Sequence, residues 1–313
     1  MSNALWTASI LEALAGAGST RAASQAVDGS ESDGSAFMIG VLALGLLVLA
    51  PIVVRFVARP RSLTLQGTPG RPNRLHFLHL VGILVAWVLL QVLLLGLAQI
   101  IFQVNLKDLG EMKPPPLIYF QVMVVVSLVA PLWMAGASLV IGALTFRGGL
   151  RRGMGLSMRH WIWDGGCGLV SFLAVLPVCI GVLMLSNFLL RNHEDLIQKH
   201  FLLTALQTMP TGWKAGIFVA AGILAPLGEE LFFRGLMQST IRQVSRSPWA
   251  AILITAPVFA LMHMQEANAI PSLLVLAIVL GYLYERSGRL VAPMVLHGLF
   301  NMANMISVLG GAQ

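Results

Sequence analysis

Six polar side chains in the last third of the sequence have types that could support acid–base chemistry. They are two adjacent acids with an arginine, a single histidine, and a histidine followed by an asparagine: Glu229, Glu230, Arg234, His263, His297 and Asn301. Each group lies in or at the end of an otherwise apolar run. A charge at membrane depth costs roughly 2.5–3.5 kcal/mol on insertion scales, so such residues are rarely kept there without a function.

The spacing of the two acids predicts separate roles for them. Glu230 and Arg234 are four residues apart with the acid first, which on a helix is the favourable orientation for an ion pair. Glu229 lies one residue earlier and is turned about 100° away from that face. We therefore expect Arg234 to neutralise Glu230 and to leave Glu229 facing another group. The simpler alternative is that both acids serve a helix end near the membrane interface.

The two histidines lie on different apolar runs. His263 follows Phe259 by one helical turn, and Phe259 is expected to pack beside it. His297 and Asn301 are four residues apart and project from one face, and Gly298 would permit close approach of a second helix. Hydrogen bonding between membrane helices is the simpler explanation for any one of these residues taken alone.

Together these groups suit hydrolytic chemistry at a water molecule. A carboxylate, two imidazoles and a carboxamide can activate water and stabilise an oxyanion. A divalent metal, with zinc as the first candidate, would also suit Glu229, His263 and His297, which make a two-histidine, one-carboxylate ligand set. The zinc-protease pattern His-Glu-x-x-His is absent, as is the Gly-x-Ser-x-Gly elbow of serine hydrolases. The residue types leave the metal and the metal-free chemistry open.

The composition is that of a membrane protein. Of 313 residues, 57% are hydrophobic and 11% are charged, against about 25% charged in soluble domains. The net charge of +7 lies in short clusters between apolar runs, which follows the positive-inside rule and argues against nucleic-acid binding. Cys167 and Cys179 fall in one apolar run and predict no disulfide framework.

Hydropathy predicts an all-α bundle of about eight transmembrane helices in the cell membrane. The apolar runs are 36–57, 77–103, 117–146, 165–190, 213 to the Glu-Glu pair, 249–264, 270–284 and 290–309. The loops after the first, third, fifth and seventh runs are basic, so both termini are predicted to be non-cytoplasmic. We divide the chain into a polar tail (1–35), accessory transmembrane helices (36–211) and a catalytic core (212–309). Residues 64–72 are expected to form a flexible cytoplasmic loop.

Three motifs in order, Glu-Glu-x-x-x-Arg, Phe-x-x-x-His and His-x-x-x-Asn, resemble the signatures of the CPBP intramembrane proteases. That family includes the type II CAAX prenyl endopeptidases and bacteriocin-processing or immunity proteins. The resemblance covers about residues 212–309. It implies an endopeptidase whose substrate is a membrane-associated or lipidated peptide.

Carried over to this chain, the resemblance makes Glu229 the base that activates water and His263 the group that holds the water or a metal. His297 and Asn301 would bind the oxyanion, or His297 would be a metal ligand, with Glu230 and Arg234 as a supporting pair. Two alternatives stay open: a catalytically silent binding or immunity protein of the same fold, and a transporter that uses the same residues to relay protons.

The predicted depths of these groups do not agree. At 1.5 Å per residue, Glu229 lies near the cytoplasmic end of the fifth run, whereas His297 and His263 lie about 10 and 20 Å deeper. Straight, perpendicular helices would keep them apart. Convergence therefore requires tilted helices, a longer fifth helix, or a kink at Pro257.

Overall fold

The protein folds as a bundle of α-helices in a computed structural model that describes residues 31–59, 64–65, 67–68, 70–112, 115–193 and 201–310. Most of the predicted N-terminal tail lies outside the described residues. The main helices are α1 (Glu31–Ala58), α2 (Phe77–Phe102), α3 (Leu106–Glu111), α4 (Leu117–Thr145), α5 (Trp161–Leu189), α6 (Phe201–Thr208), α7 (Thr211–Ser245), α8 (Pro248–Leu261), α9 (Ile270–Ser287) and α10 (Val291–Gly310). A π-helical turn, Gly149–Gly153, follows α4, and a 3₁₀ segment, Met264–Ala269, leads into α9.

The polytopic helical fold predicted from hydropathy is confirmed, because each apolar run corresponds to a helix. Six helices in the described chain are long and apolar enough to cross a membrane, counting α9 together with the 3₁₀ turn before it. The first and sixth runs give shorter apolar stretches, Ile39–Arg55 and Pro248–Leu261. The short helices α3 and α6 were not predicted, because neither contains an apolar run long enough to stand out.

Helix α7 is, with α10, one of the two most buried of the six long apolar helices, and it carries the Glu-Glu pair. It runs for 35 residues, and half of its most apolar window is buried, against 11% for the peripheral α2. Its aromatic and aliphatic side chains pack into one core with residues of α4, α8 and α9: Phe232, Phe233, Leu236, Met134, Phe259 and Tyr284. The sequence placed Glu229 near a helix end, but α7 continues to Ser245, so Glu229 lies near its middle. The longer fifth helix thus removes much of the depth mismatch.

Two π-helical segments widen α7 on either side of the Glu-Glu pair. They are Ala220–Leu224 and Leu231–Gln238, and the α-helical turn between them is Ala225–Glu230. Such widened turns occur mostly as single insertions in α-helices and frequently at functional sites. They change the direction in which side chains point relative to a regular helix.

The four basic loops meet at one end of the bundle. Asn73 and Phe146 form an isolated antiparallel bridge between the loops after α1 and α4, and the Leu290 amide donates to the Gly155 carbonyl at 3.0 Å. Arg289 donates two hydrogen bonds to Asp164 at 2.5 and 2.6 Å, and these bonds raise the pKa of the Arg289 guanidinium. Arg242, near the end of α7, donates to the Thr68 carbonyl at 3.1 Å, so all four basic segments share one face of the bundle, as the charge pattern requires. The cytoplasmic assignment of that face stays a prediction.

The prediction of a flexible loop at 64–72 is wrong for the residues of it that the structure describes. Leu65 is buried, and Arg71 is buried with it. The carbonyl oxygens of Thr64 and Thr68 accept hydrogen bonds from Arg286 and from Arg242, a residue of α7. Apolar burial and these side-chain contacts hold the segment against the bundle.

Candidate active site

Glu230 and Arg234 form a completely buried ion pair on one face of α7, as their spacing predicts. Arg234 Nη1 donates to Glu230 Oε1 at 2.7 Å, and both side chains are fully buried. Arg234 Nη2 also donates to the Ala277 carbonyl on α9 at 3.3 Å. A buried charge without a partner would be costly, so the pair neutralises itself and ties α7 to α9.

His297 on α10 connects the two acids. Its Nδ1 lies 2.8 Å from Glu230 Oε1, and its Nε2 lies 3.8 Å from Glu229 Oε2. A carboxylate can only accept, so Nδ1 carries the hydrogen and Nε2 is the atom that faces Glu229. The sequence did not predict the contact with Glu230. It fixes the orientation of the imidazole in the way that a carboxylate orients the histidine of a catalytic triad.

Phe259 lies at the centre of the site. The Arg234 guanidinium lies 4.7 Å from the centroid of its ring, and the ring packs edge-on against His297 at 5.6 Å. The Phe259 ring also packs against the His263 ring, with 5.3 Å between the ring centroids. Phe259 is fully buried, so the core packing expected for it is present, together with a cation–π contact that the sequence did not predict.

His263 lies in the turn just after α8 and is partly exposed to the cavity described below. Its Nδ1 lies 3.2 Å from the Phe259 carbonyl oxygen. Since a carbonyl can only accept, Nδ1 carries the hydrogen and Nε2 of the neutral ring is an acceptor. The turn after α8 therefore presents an imidazole nitrogen that no described residue hydrogen-bonds.

Asn301 is held by the first π-helical segment of α7. Its Nδ2 donates to the Ala221 carbonyl at 2.8 Å. The Ala225 amide, the usual α-helical partner of that carbonyl, donates instead to Ala220, and Pro226 at the next position has no N–H. The Ala221 carbonyl is thus left for Asn301. The second hydrogen of the amide group is not used by this contact.

Glycines allow the three helices to approach closely at the site. A Cβ atom on Gly298 would lie 2.8 Å from the Gly222 carbonyl oxygen, and one on Gly228 would lie 2.7 Å from the Pro131 carbonyl oxygen. The close helix approach predicted for Gly298 is confirmed. Gly228, directly beside Glu229, likewise permits close approach of α7 and α4.

A cavity of about 240 Å³ brings the candidate residues together. Its polar lining includes Glu229, His263, His297, Asn301 and Asn304. Glu230 and Arg234 are behind this surface and do not line it.

Part of the cavity wall comes from residues that sequence reasoning did not select. Cys179, Ile180, Leu183 and Asn187 belong to α5, and Leu202 and Leu203 belong to α6, in the region assigned to accessory helices. Asn268, in the turn before α9, donates to Asn187 at 3.0 Å, and Glu266 lines the same cavity. Sequence reasoning did not select Glu266 and Asn268, although polar side chains this close to His263 were a signal for them.

The described residues contain no preformed ligand shell for the predicted metal. No three His, Cys, Asp or Glu side chains in the described part of the chain are close enough together to hold a metal ion. Glu229 and His297 converge, but His297 Nδ1 is bonded to Glu230 and His263 does not complete the set. We therefore derive no step through a metal.

The site coincides with a segment that resembles known proteins. Residues 211–303 match the sequence model of a family described as type II CAAX prenyl endopeptidase Rce1-like. The similarity to that family is limited to this segment of the chain. The CPBP resemblance drawn from the three motifs is confirmed over the Rce1-like segment, which includes α7 to α9, most of α10 and every candidate residue.

One curated relative extends the comparison only in part. An Escherichia coli protein described as an uncharacterized 24.3 kDa protein is 32% identical over 132 residues. The match spans 41% of this chain and 58% of the relative. No solved structure matches the chain. With its Rce1-like segment and six helices able to cross a membrane, the protein is a multi-pass integral membrane protein.

Proposed function

We propose that this chain is an intramembrane endopeptidase that hydrolyses a peptide bond of a membrane-associated or lipidated substrate. The observation that carries the proposal is the state of Glu229. Its Oε2 atom is buried beside the cavity, accepts no hydrogen bond from the described residues, and lies 3.8 Å from His297 Nε2. An acceptor held in this way is suited to take a proton from a water molecule.

In the first step Glu229 removes a proton from water as the water oxygen attacks the substrate carbonyl carbon. His263 Nε2, an acceptor in the neutral ring, would orient that water. General-base assistance of this kind contributes typically about 10²–10⁴ in rate. When the C–N bond breaks, Glu229 passes the proton to the leaving amine nitrogen.

The developing oxyanion would be stabilised by Asn301 and His297. Asn301 uses one amide hydrogen to hold Ala221 and can direct the other at the oxyanion. His297 would donate from Nε2 when doubly protonated, with Glu230 fixing its ring through Nδ1. Glu230 and Arg234 position His297 and do not touch substrate.

The apolar walls of the cavity favour a substrate that carries an apolar group. Aliphatic and aromatic side chains from α5, α6 and α10 line it, including Leu183, Leu202 and Phe300. A peptide with an apolar residue or a lipid chain next to the cleaved bond would bury that group there.

The test is a cleavage screen with the purified full chain in vesicles, comparing it with Glu229→Gln. We expect product from the unaltered chain and a rate about 10²–10⁴ lower for the variant, which keeps the side-chain shape and loses the base. If Glu229→Gln cleaves as fast as the unaltered chain, the proposal is wrong. If both capture a peptide and neither cleaves it, the chain is the silent binding protein, and a proton flux in sealed vesicles would indicate the transporter.

A zinc ion stays a prediction that the same preparation tests. Glu229, His263 and His297 would be the residues to hold it, and a bound zinc ion would supply Lewis-acid polarisation of a carbonyl or of water. One metal ion per active chain and loss of cleavage on chelation would support this. Full cleavage by metal-free protein would support water activation by Glu229 alone.

A further inference from the structure

Four arginines from three parts of the chain line one pocket where the basic loops meet. Arg71 comes from the loop after α1, Arg147 from the loop after α4, and Arg242 and Arg246 from the end of α7. The pocket is an open depression of about 520 Å³, and none of the described residues that line it is acidic. It contains none of the residues that line the Glu229 cavity, so it does not depend on the proposed function.

Hydrogen bonds from backbone amides connect the walls of this arginine pocket. The Asn73 amide donates to Gln243 Oε1 at 2.9 Å, and the Arg147 amide donates to the Pro72 carbonyl at 3.2 Å. The loops after α1 and α4 and the end of α7 are therefore bonded to one another. The arginines do not project independently from separate surface loops.

A single buried acid positions two of the four arginines. Glu285 has a fully buried side chain whose oxygens lie 3.7 Å from Arg71 Nη1 and from Arg242 Nε. Arg71 also donates to the Tyr284 carbonyl at 2.8 Å, and its guanidinium lies 3.7 Å from the centroid of the Tyr284 ring. Gln238 Nε2 donates a hydrogen bond of 3.0 Å to Glu285 Oε1.

The pocket keeps positive charge and unused hydrogen-bond donors. Glu285 pairs with Arg71 and Arg242 only, so its one negative charge against four guanidiniums leaves a net charge of +3 on this group. Arg71 Nη1 and Arg242 Nε are buried and make no hydrogen bond to a described residue, since 3.7 Å is too long for one. The side chain of Arg71 is only 7% exposed. Arg147 and Arg246, in contrast, are exposed at the rim.

We propose that the arginine pocket binds a phosphate group, supplied in the membrane by the headgroup of an anionic phospholipid. Guanidinium groups match phosphate oxygens in pairs, and basic pockets between transmembrane helices at the membrane surface bind acidic headgroups. The positive-inside rule explains why these loops are basic. It does not explain why the Arg71 side chain is buried, why the Arg242 side chain is only 11% exposed, or why Glu285 holds both beside a pocket whose described lining has no acid.

The test measures lipid binding to the full-length protein in a neutral detergent. Phosphatidylglycerol and phosphatidylcholine with the same acyl chains are titrated separately, with native mass spectrometry and thermal stability as readouts, and inorganic phosphate is the third probe. We expect tighter binding of phosphatidylglycerol than of phosphatidylcholine. If inorganic phosphate gives the same stabilisation as phosphatidylglycerol, the pocket takes the free anion; if only phosphatidylglycerol stabilises, the source is the lipid.

Two pairs of substitutions separate the pocket from general surface charge. Arg147→Gln with Arg246→Gln changes the two rim arginines, and Arg151→Gln with Arg152→Gln removes the same charge from exposed residues outside the pocket. The first pair should weaken phosphatidylglycerol binding about 30-fold, and either rim substitution alone about fivefold. The second pair should bind like the unaltered chain.

The proposal is overturned if both pairs weaken phosphatidylglycerol binding equally, which would indicate ordinary surface attraction. It is also overturned if the rim pair binds like the unaltered chain. Cleavage activity is not needed for either readout, so a failure here leaves the protease proposal standing.

Discussion

Replacing Glu230 by alanine should destabilise the fold much more than replacing Glu229, because the two acids of α7 have different partners. The substitution leaves the Arg234 charge fully buried without its partner and removes the hydrogen bond to His297. Removing one member of a buried ion pair typically costs about 3–5 kcal/mol, and we expect a loss in that range. The lost contact to His297 is part of the same network, so its cost does not simply add.

The matched variant is Glu229→Ala, one residue earlier on the same helix. The Glu229 side chain is 24% exposed, and its Oε2 accepts no hydrogen bond from the described residues. Its removal should therefore change the free energy of unfolding by less than about 1 kcal/mol. Glu230→Gln should fall between the two, because its carbonyl oxygen can still accept from Arg234 and His297 but carries no charge.

The assay is equilibrium unfolding in mixed micelles with increasing SDS, followed by circular dichroism for all three variants. A Glu230→Ala protein within 1 kcal/mol of the unaltered chain would refute the reasoning. So would a Glu229→Ala protein that loses as much stability as Glu230→Ala, because the two acids would then share one structural role.

Three further predictions follow from single contacts. Asn301→Leu should lower the cleavage rate about 10²–10³-fold, the usual cost of one lost oxyanion donor, and a normal rate would remove Asn301 from the mechanism. Gly298→Ala should destabilise the fold by about 1–3 kcal/mol in thermal unfolding, because the added methyl meets backbone at 2.8 Å, whereas Gly136→Ala, with open space around it, should not. Asp164→Asn should cost about 1.5–3 kcal/mol by breaking the paired hydrogen bonds from Arg289, and an unchanged melting temperature would contradict this.

Features set by local periodicity could be predicted from the sequence. The apolar runs match the helices, Glu230 pairs with Arg234 four residues on, and Gly298 lies at a close helix contact. The helical period and the size of the side chain were sufficient to derive them.

Features set by contacts between distant segments could not be predicted. The bond between His297 and Glu230 spans 67 residues, and the arginine pocket joins three loops. The π-helical segments of α7 also break the uniform period from which the orientation of Glu229 was derived. Even so, Pro226 gave a local reason for the free Ala221 carbonyl, and this reason could have been found in the sequence.

The contribution of α5 and α6 to the cavity also results from contacts between distant segments and could not be predicted. Asn187, Leu202 and Leu203 carry no motif, and nothing in their spacing links them to Glu229. Asn187 reaches the cavity because α5 packs along α9 and α10, whereas Leu202 and Leu203 reach it because α6 packs against α4, α7 and α10. The region assigned as accessory thus forms one wall of the candidate active site.

The central claim is that Glu229 removes a proton from the water that attacks the substrate. The most direct test is the single-turnover cleavage rate of Glu229→Gln on the first peptide that the unaltered chain cleaves, with both proteins in the same vesicles. We predict a rate lower by about 10²–10⁴ with peptide binding retained. Cleavage by the variant at the unaltered rate would contradict the account.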